Sequence, residues 1–168
     1  MFEFTKLYQE TKPKVLRYLY YQCRDNILAE ELTQETFYQV FLSLSKFKGQ
    51  SKIDTWVLAI ARYVYLKHCR KEKHLSGVEL DLDRVSAAPN EEPQAVLITK
   101  QKDDDILKTL QLLPEHYRSI IIWREIEELS FEEIGKMLNK SPSTVRVLLF
   151  RAKKRFRQIY QENQEKSV

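Results

Sequence analysis

Residues 130–157 read SFEEIGKMLNKSPSTVRVLLFRAKKRFR, and the fold turns on how this stretch is parsed. Ser130 followed three residues later by Glu133 is a capping box: the hydroxyl accepts from the third backbone N–H and the carboxylate reaches back to the cap. Phe131, Ile134 and Leu138 then share the inner face of a short helix. Asn139-Lys140 is a turn. Ser141 caps a second helix, with Pro142 at the first position, where its missing N–H costs nothing. Val145, Leu149, Ala152, Phe156 and Ile159 give that helix a buried stripe. A short helix, a tight polar turn and a longer basic helix are the organisation of a helix-turn-helix, whose second helix enters the major groove of duplex DNA.

The residues off the stripe are the candidate readers. Ser143, Thr144, Arg146 and Val147 lie near the helix start, with Phe150, Arg151, Lys153 and Lys154 further along. Residues early in such a helix meet base edges; Lys153, Lys154, Arg155 and Arg157 suit phosphates, which position the helix without choosing sequence. A plain helical hairpin with a basic surface is the competing reading.

Working outward, the rest of the chain is also helical in pattern. It has 168 residues, 43% of them hydrophobic, with only 3 glycines and 5 prolines. Apolar residues recur at three and four, and alternating strand patterns with turn dipeptides are missing, so an all-α fold is expected. Before the helix-turn-helix, one helix carries Ile106, Leu107, Leu110 and Leu113 up to Pro114, and another carries Tyr117, Ile120, Ile121 and Ile126. At the other end, Phe4 to Leu19 form a stripe that Pro13 is expected to break or restart. Asp25-Asn26 is a turn, Leu28 to Leu44 a long amphipathic helix, and residues 46–50 a loop holding Gly49. Ser51 with Asp54 resembles a second capping box ahead of Ile53, Trp56, Val57, Ile60 and Val64. Gly77, Pro89, Asn90 and Pro93 punctuate a stretch of weak periodicity between the two ends. The expected organisation is a helical domain over residues 1–74, an acidic flexible linker over 75–102 and a helix-turn-helix domain over 103–168.

The net charge of +4 is unevenly distributed. Residues 62–74 hold five Lys/Arg and one acid, residues 135–157 eight Lys/Arg and no acid, and residues 79–105 eight acids against three bases. Two basic blocks separated by an acidic connector suit two surfaces that meet a polyanion, the alternative being solvated helix faces. In the first block, Trp56, Tyr63 and Tyr65 are interleaved with Arg62 and Lys67, a pattern that suits unpaired bases stacked on aromatic faces. The spacing of Trp56 to Ile53 and Ile60 puts it in the core, whereas Tyr63 is offset from the stripe. The run Ala29 to Phe37 is acidic; it cannot hold DNA, but it suits either a basic protein partner or solvent.

Other functions find little support. Cys23 and Cys69 have neither metal nor redox spacing and fit a reducing, cytoplasmic compartment. There is no metal-ligand cluster, phosphate-cradling glycine loop or nucleophile–base pair, so no cofactor, metal or catalytic residue is expected. No secretory signal is visible, and no run approaches the roughly 18 apolar residues of a membrane helix.

The segments AEELTQETFYQVFLSLSKFKG and IDTWVLAIARYVYLKHCRKEK closely resemble the second conserved region of extracytoplasmic-function (ECF) sigma factors. LPEHYRSIIIWREIEELSFEEIGKMLNKSPSTVRVLLFRAKKRFRQ resembles their fourth region. The resemblance implies a protein that binds core RNA polymerase and directs promoter-specific initiation, opening DNA at the −10 element and reading the −35 element as duplex. It implies core-polymerase contacts at Glu30, Glu31, Leu32, Gln34, Glu35 and Phe37. It implies −10 contacts at Phe47, Lys48, Gly49, Gln50, Ser51, Thr55, Arg62, Tyr63 and Lys67, with a base flipped into a pocket formed largely by the loop. It implies −35 contacts by the last helix, and a cognate anti-sigma factor, often membrane-anchored, as a further partner, with no direct membrane insertion by the chain itself. Two departures bear on promoter choice: Tyr63 stands where many members have Asn, and Val147-Leu148-Leu149 stands where Ser-Arg-Leu is common. The second removes a positive contact and offers an apolar one, which suits a thymine methyl. A stand-alone helix-turn-helix regulator is the alternative; it leaves the −10-like segment without a role.

Overall fold

The computed structural model describes residues 4–76 and 100–167. Every regular element among them is helical. Helices α1 (Phe4–Cys23), α2 (Asn26–Ser43) and α3 (Ile53–Ser76) form a first unit, with a 3-10 turn over Leu44–Lys46 after α2. Helices α4 (Lys100–Gln111), α5 (Glu115–Ile121), α6 (Phe131–Leu138) and α7 (Pro142–Lys166) form a second, with a π-helical segment, Ile122–Ile126, continuing α5. The interior of the expected linker lies outside the described residues; its ends, 75–76 and 100–102, belong to α3 and α4.

Local chemistry explains most boundaries. Arg24 takes a left-handed conformation (φ 54°) to close α1, and its N–H donates to the Tyr20 carbonyl at 2.7 Å. Asp25 then caps α2, accepting from the backbone N–H of Ile27 and Leu28 at 3.0 and 3.1 Å. The α6 capping box is present: Ser130 Oγ accepts from Glu133 N at 3.1 Å and Glu133 Oε2 from Ser130 N at 2.7 Å. Asn139, left-handed at φ 55°, ends α6. The turn folds so closely over Gly135 that a Cβ there would lie 2.5 Å from the Lys140 carbonyl oxygen.

Two expectations are corrected. Pro13 does not interrupt α1; it lies on the exposed side, where water can serve the carbonyl one turn earlier. Ser51 and Asp54 do not form a capping box. Asp54 is taken by Lys14 at 2.6 Å, and the Ser51 hydroxyl donates to the Lys52 carbonyl instead.

The two units share one core. Val15, Tyr18, Leu19, Val57, Leu58 and Ala61 from the first are continuous with Ile120, Ile122, Trp123, Ile134 and Val145 from the second. Trp123 stacks on Tyr18, with ring centroids 5.6 Å apart. A smaller cluster of Leu110, Leu113 and Ile159 ties α4 to α7. Burial of such side chains contributes about 1.5–3 kcal/mol each, and here it also fixes how the helix-turn-helix sits against α1 and α3.

Candidate nucleic-acid interface

The helix-turn-helix presents α7 as its pattern predicts. Ser141 Oγ accepts from Thr144 N at 3.2 Å, and Val145, Leu149, Ala152 and Ile159 are buried. Ser143, Thr144, Arg146, Val147, Phe150, Arg151 and Lys154 are exposed, with Phe150 at 69% and Val147 at 48%. Two large apolar side chains held in solvent between cations suit a ligand with both phosphates and methyl groups. Arg146 lies over the Phe131 ring at 5.0 Å, and Arg124 over the same ring at 4.3 Å. Arg124 is also anchored by donating to the Leu129 carbonyl at 2.9 Å. Lys153 is half-buried and paired with Glu125 at 2.5 Å, so it is less free than its neighbours.

Most of the residues predicted in the first unit reach the surface. Lys48, Gly49, Gln50, Tyr63 and Lys67 are exposed, Tyr63 by 56%. Gly49 has φ 71°, a conformation that glycine adopts without strain. Phe47 packs on Trp56 at 5.1 Å between ring centroids; Trp56 is half-buried rather than a full core residue. Between the 46–51 loop, the start of α3 and the end of α6 lies a cleft of about 640 Å³ lined by Phe47, Lys48, Gln50, Trp56, Lys136 and Met137, among others.

Thr55 and Arg62 are placed differently from the others. Thr55 is buried, and its hydroxyl donates to Glu133 at 3.4 Å. Arg62 donates twice to Glu115, from Nε and Nη2 at 3.0 and 2.9 Å. Burial opposes the Arg62 charge, but Glu115 outweighs it and holds the guanidinium more firmly protonated than usual. Burial likewise opposes ionisation of Glu133, yet hydrogen bonds from Ser130, then the charge of Lys52 and the hydroxyl of Thr55, bring its carboxyl below the usual glutamate range.

On α2, Glu30, Glu31, Gln34 and Glu35 are exposed along one ridge. Leu32 and Phe37 are not available to a partner: both are buried in the first unit's core, where they seat the helix. Beside the ridge, Tyr38, Phe41 and Leu42 are exposed, Phe41 by 63%. Phe41 falls within the amphipathic stretch from Leu28 to Leu44 yet is exposed, and exposed aromatics next to an acidic ridge suit a protein-facing surface.

Sequence reading also missed the buried polar cluster between the units. Arg118, fully buried, donates to the carbonyls of Leu110, Leu113 and Gln22, to Gln22 Oε1 and to Tyr65 Oη. Gln22 Nε2 donates to Ser119 Oγ at 2.6 Å and Tyr18 Oη at 3.0 Å, and Ser119 donates to Glu115 at 2.5 Å. Isolated polar residues in apolar stripes at 18, 22 and 118–119 were the available signal.

Among the described residues no group of three or more His, Cys, Asp or Glu side chains could hold a metal, and no helix is long and apolar enough to cross a membrane.

The fold and this surface define a helical DNA-binding protein with two basic faces. Family models place it further. The sigma-70 region 2 model matches residues 7–75 and the sigma-70 region 4 model residues 103–156. The chain is 29% identical over 148 residues to RNA polymerase sigma factor YlaC of Bacillus subtilis (strain 168), covering 88% of this chain and 86% of that one. It is 26% identical over 155 residues to the ECF RNA polymerase sigma factor SigM of the same organism, covering 92% and 93%. In fold it is similar to the sigma factor RpoE solved in complex with the anti-sigma factor NepR from Bartonella quintana, with TM-score 0.72, 20% identity, and 94% and 96% of the two chains covered. The chain belongs to the sigma-70 family, as an ECF RNA polymerase sigma factor. It is a promoter-directing component of the transcription machinery rather than a stand-alone helix-turn-helix regulator.

Proposed function

We propose that the two units divide the promoter between them. Residues 1–74 carry core-polymerase and −10 contacts, and residues 103–168 carry the −35 contact. The observation that carries this reading is the exposed set Arg146, Val147, Phe150, Arg151 and Lys154 on a helix whose opposite face is locked into the core. Ser143, Thr144, Arg146 and Val147 meet base edges in the major groove; Arg151, Lys153 and Lys154 position the helix on phosphates. In the first unit, residues 47–51 with Thr55, Arg62, Tyr63 and Lys67 take strand-separated DNA, Tyr63 stacking and Lys67 and Arg62 neutralising phosphate. Glu30, Glu31, Gln34 and Glu35 dock on a basic surface of core polymerase, with Tyr38, Phe41 and Leu42 as the adjoining apolar contact.

The polymerase supplies the chemistry, and the chain itself is not an enzyme. The protein works in the cytoplasm. A cognate anti-sigma factor is the expected regulatory partner, supported by a protein of the same fold solved with such a factor.

The docking assignment is tested by replacing Glu31 and Gln34 together with alanine. Both are exposed, so the variant keeps the wild-type fold by circular dichroism. Core-polymerase affinity falls at least about tenfold, as loss of complementary charged contacts at an interface predicts. Unchanged affinity removes the ridge from the core interface.

A further inference from the structure

The cleft of about 640 Å³ between the 46–51 loop, α3 and α6 combines charge and aromatic surface in one place. Lys46 and Lys48 line it from the first unit and Lys136 from α6, and the described residues lining it include no carboxylate. Phe47 and Trp56, with ring centroids 5.1 Å apart and planes tilted by 43°, supply flat apolar surface. Met137 of α6 adds a polarisable thioether to the same lining. Lys136 Nζ donates to the Gln50 carbonyl at 2.9 Å, which holds one ammonium beside the 46–51 loop. An ammonium has three donors, and this bond uses one.

These features narrow the ligand. The volume falls in the range of about 300–1,000 Å³ that small-molecule sites occupy. A wholly apolar ligand would strip water from three cations and return nothing. Rings without cations would suit any planar molecule, and cations without rings any anion. Together they suit an aromatic base joined to phosphates, because ammoniums with rotatable donors follow a flexible phosphate chain and aromatic faces stack on every base. Three ammoniums also match the charge of about −3 on a nucleoside diphosphate near neutral pH.

We propose that this cleft is a binding site for a free nucleoside diphosphate, its base against Phe47, Trp56 and Met137 and its phosphates on Lys46, Lys48 and Lys136. A nucleotide within a DNA strand has the same chemistry, but a base flipped from a strand leaves its phosphates on the backbone outside the pocket. Here cations and rings line one cleft, so base and phosphates enter together. Lys136 and Met137 belong to α6 and carry neither the −10 nor the core-polymerase assignment, so the site does not depend on that reading.

Tryptophan fluorescence of the full chain gives the test. The protein has two tryptophans; Trp56 lines the cleft, and Trp123 is fully buried against Tyr18. Adenosine diphosphate and guanosine diphosphate are titrated in turn, with adenosine and inorganic pyrophosphate as the two halves of the ligand. Saturable quenching by a diphosphate is expected, with both halves at least about tenfold weaker. Lys136→Gln, at an exposed position, keeps the thermal melt and lowers diphosphate affinity at least about tenfold, the loss expected for a charge-assisted hydrogen bond. Lys136→Arg restores most of it. Should Lys136→Gln disturb folding, Met137→Leu, which keeps the volume and removes the sulfur, weakens quenching by the diphosphate but not binding of pyrophosphate read by calorimetry. The DNA source is separated by fluorescence anisotropy with a labelled thymidine oligonucleotide of about 20 nucleotides, whose affinity Lys136→Gln leaves within about twofold of wild type. Absence of saturable quenching by either diphosphate overturns the site. Pyrophosphate binding as tightly as the diphosphates reduces it to an anion patch and overturns it too. Equal losses for diphosphate and oligonucleotide in Lys136→Gln assign the cleft to the DNA strand instead.

Discussion

Arg146 shows how a single side chain is prepared for its task. Its guanidinium rests 5.0 Å over the Phe131 ring beside Arg124, so a cation that would otherwise sweep many rotamers is held at the mouth of the helix-turn-helix. Arg146→Ala is expected to weaken −35 recognition and relax base choice there by about 1–3 kcal/mol if the contact is a bidentate one to guanine. Transcription assays on −35 single-base variants check this; full sequence preference in the variant removes Arg146 from base readout. Arg146 was legible in the sequence because a helix of known cap and stripe leaves its exposed face by subtraction. Leu32 and Phe37 show the limit. Both lie in a segment that resembles the core-binding region, yet each faces inward, because a docking helix must itself be anchored. Arg62 was legible as a cation in a basic block but not as one already paired with Glu115, 53 positions away.

Among the elements, the α6–α7 turn is the most constrained. Gly135 has no room for a side chain, since the atom nearest an added Cβ is a backbone carbonyl oxygen at 2.5 Å, which cannot swing aside as a side-chain tip would. Gly135→Ala is expected to destabilise the fold by about 1–3 kcal/mol, the usual cost of overpacking. Chemical denaturation checks this; a variant of wild-type stability or better means the turn relaxes freely. The elements that sequence reveals best are those with local chemical punctuation: Ser130 and Ser141 cap the helices expected of them, and Asp25, read only as a turn, proves to cap α2. Where punctuation was misread, a distant residue won. Asp54 is drawn to Lys14 on α1, which leaves the start of α3 without the box that Ser51 suggested. The π-helical segment Ile122–Ile126 has no signature in composition; it arises where Trp123 packs on Tyr18 and the chain must carry Glu127 toward Arg17. A wider turn of this kind is common where function constrains a helix.

For the molecule as a whole, the helical class and the two units were readable, whereas their packing was not. Beside the shared apolar core, polar contacts join Tyr18, Gln22 and Tyr65 of the first unit to Arg118 and Ser119 of the second; these partners lie far apart in sequence, and neither periodicity nor turn chemistry encodes their pairing. The same arrangement places two basic faces on one chain, and family membership makes polymerase the agent that uses both. The most direct measurement is transcription in vitro from a genomic promoter library with purified core polymerase, with and without this protein. Defined starts that need both components, preceded by conserved elements near −10 and −35, are the predicted result. Starts no different from core alone, or tight duplex binding by the free protein with no transcripts, would contradict the account.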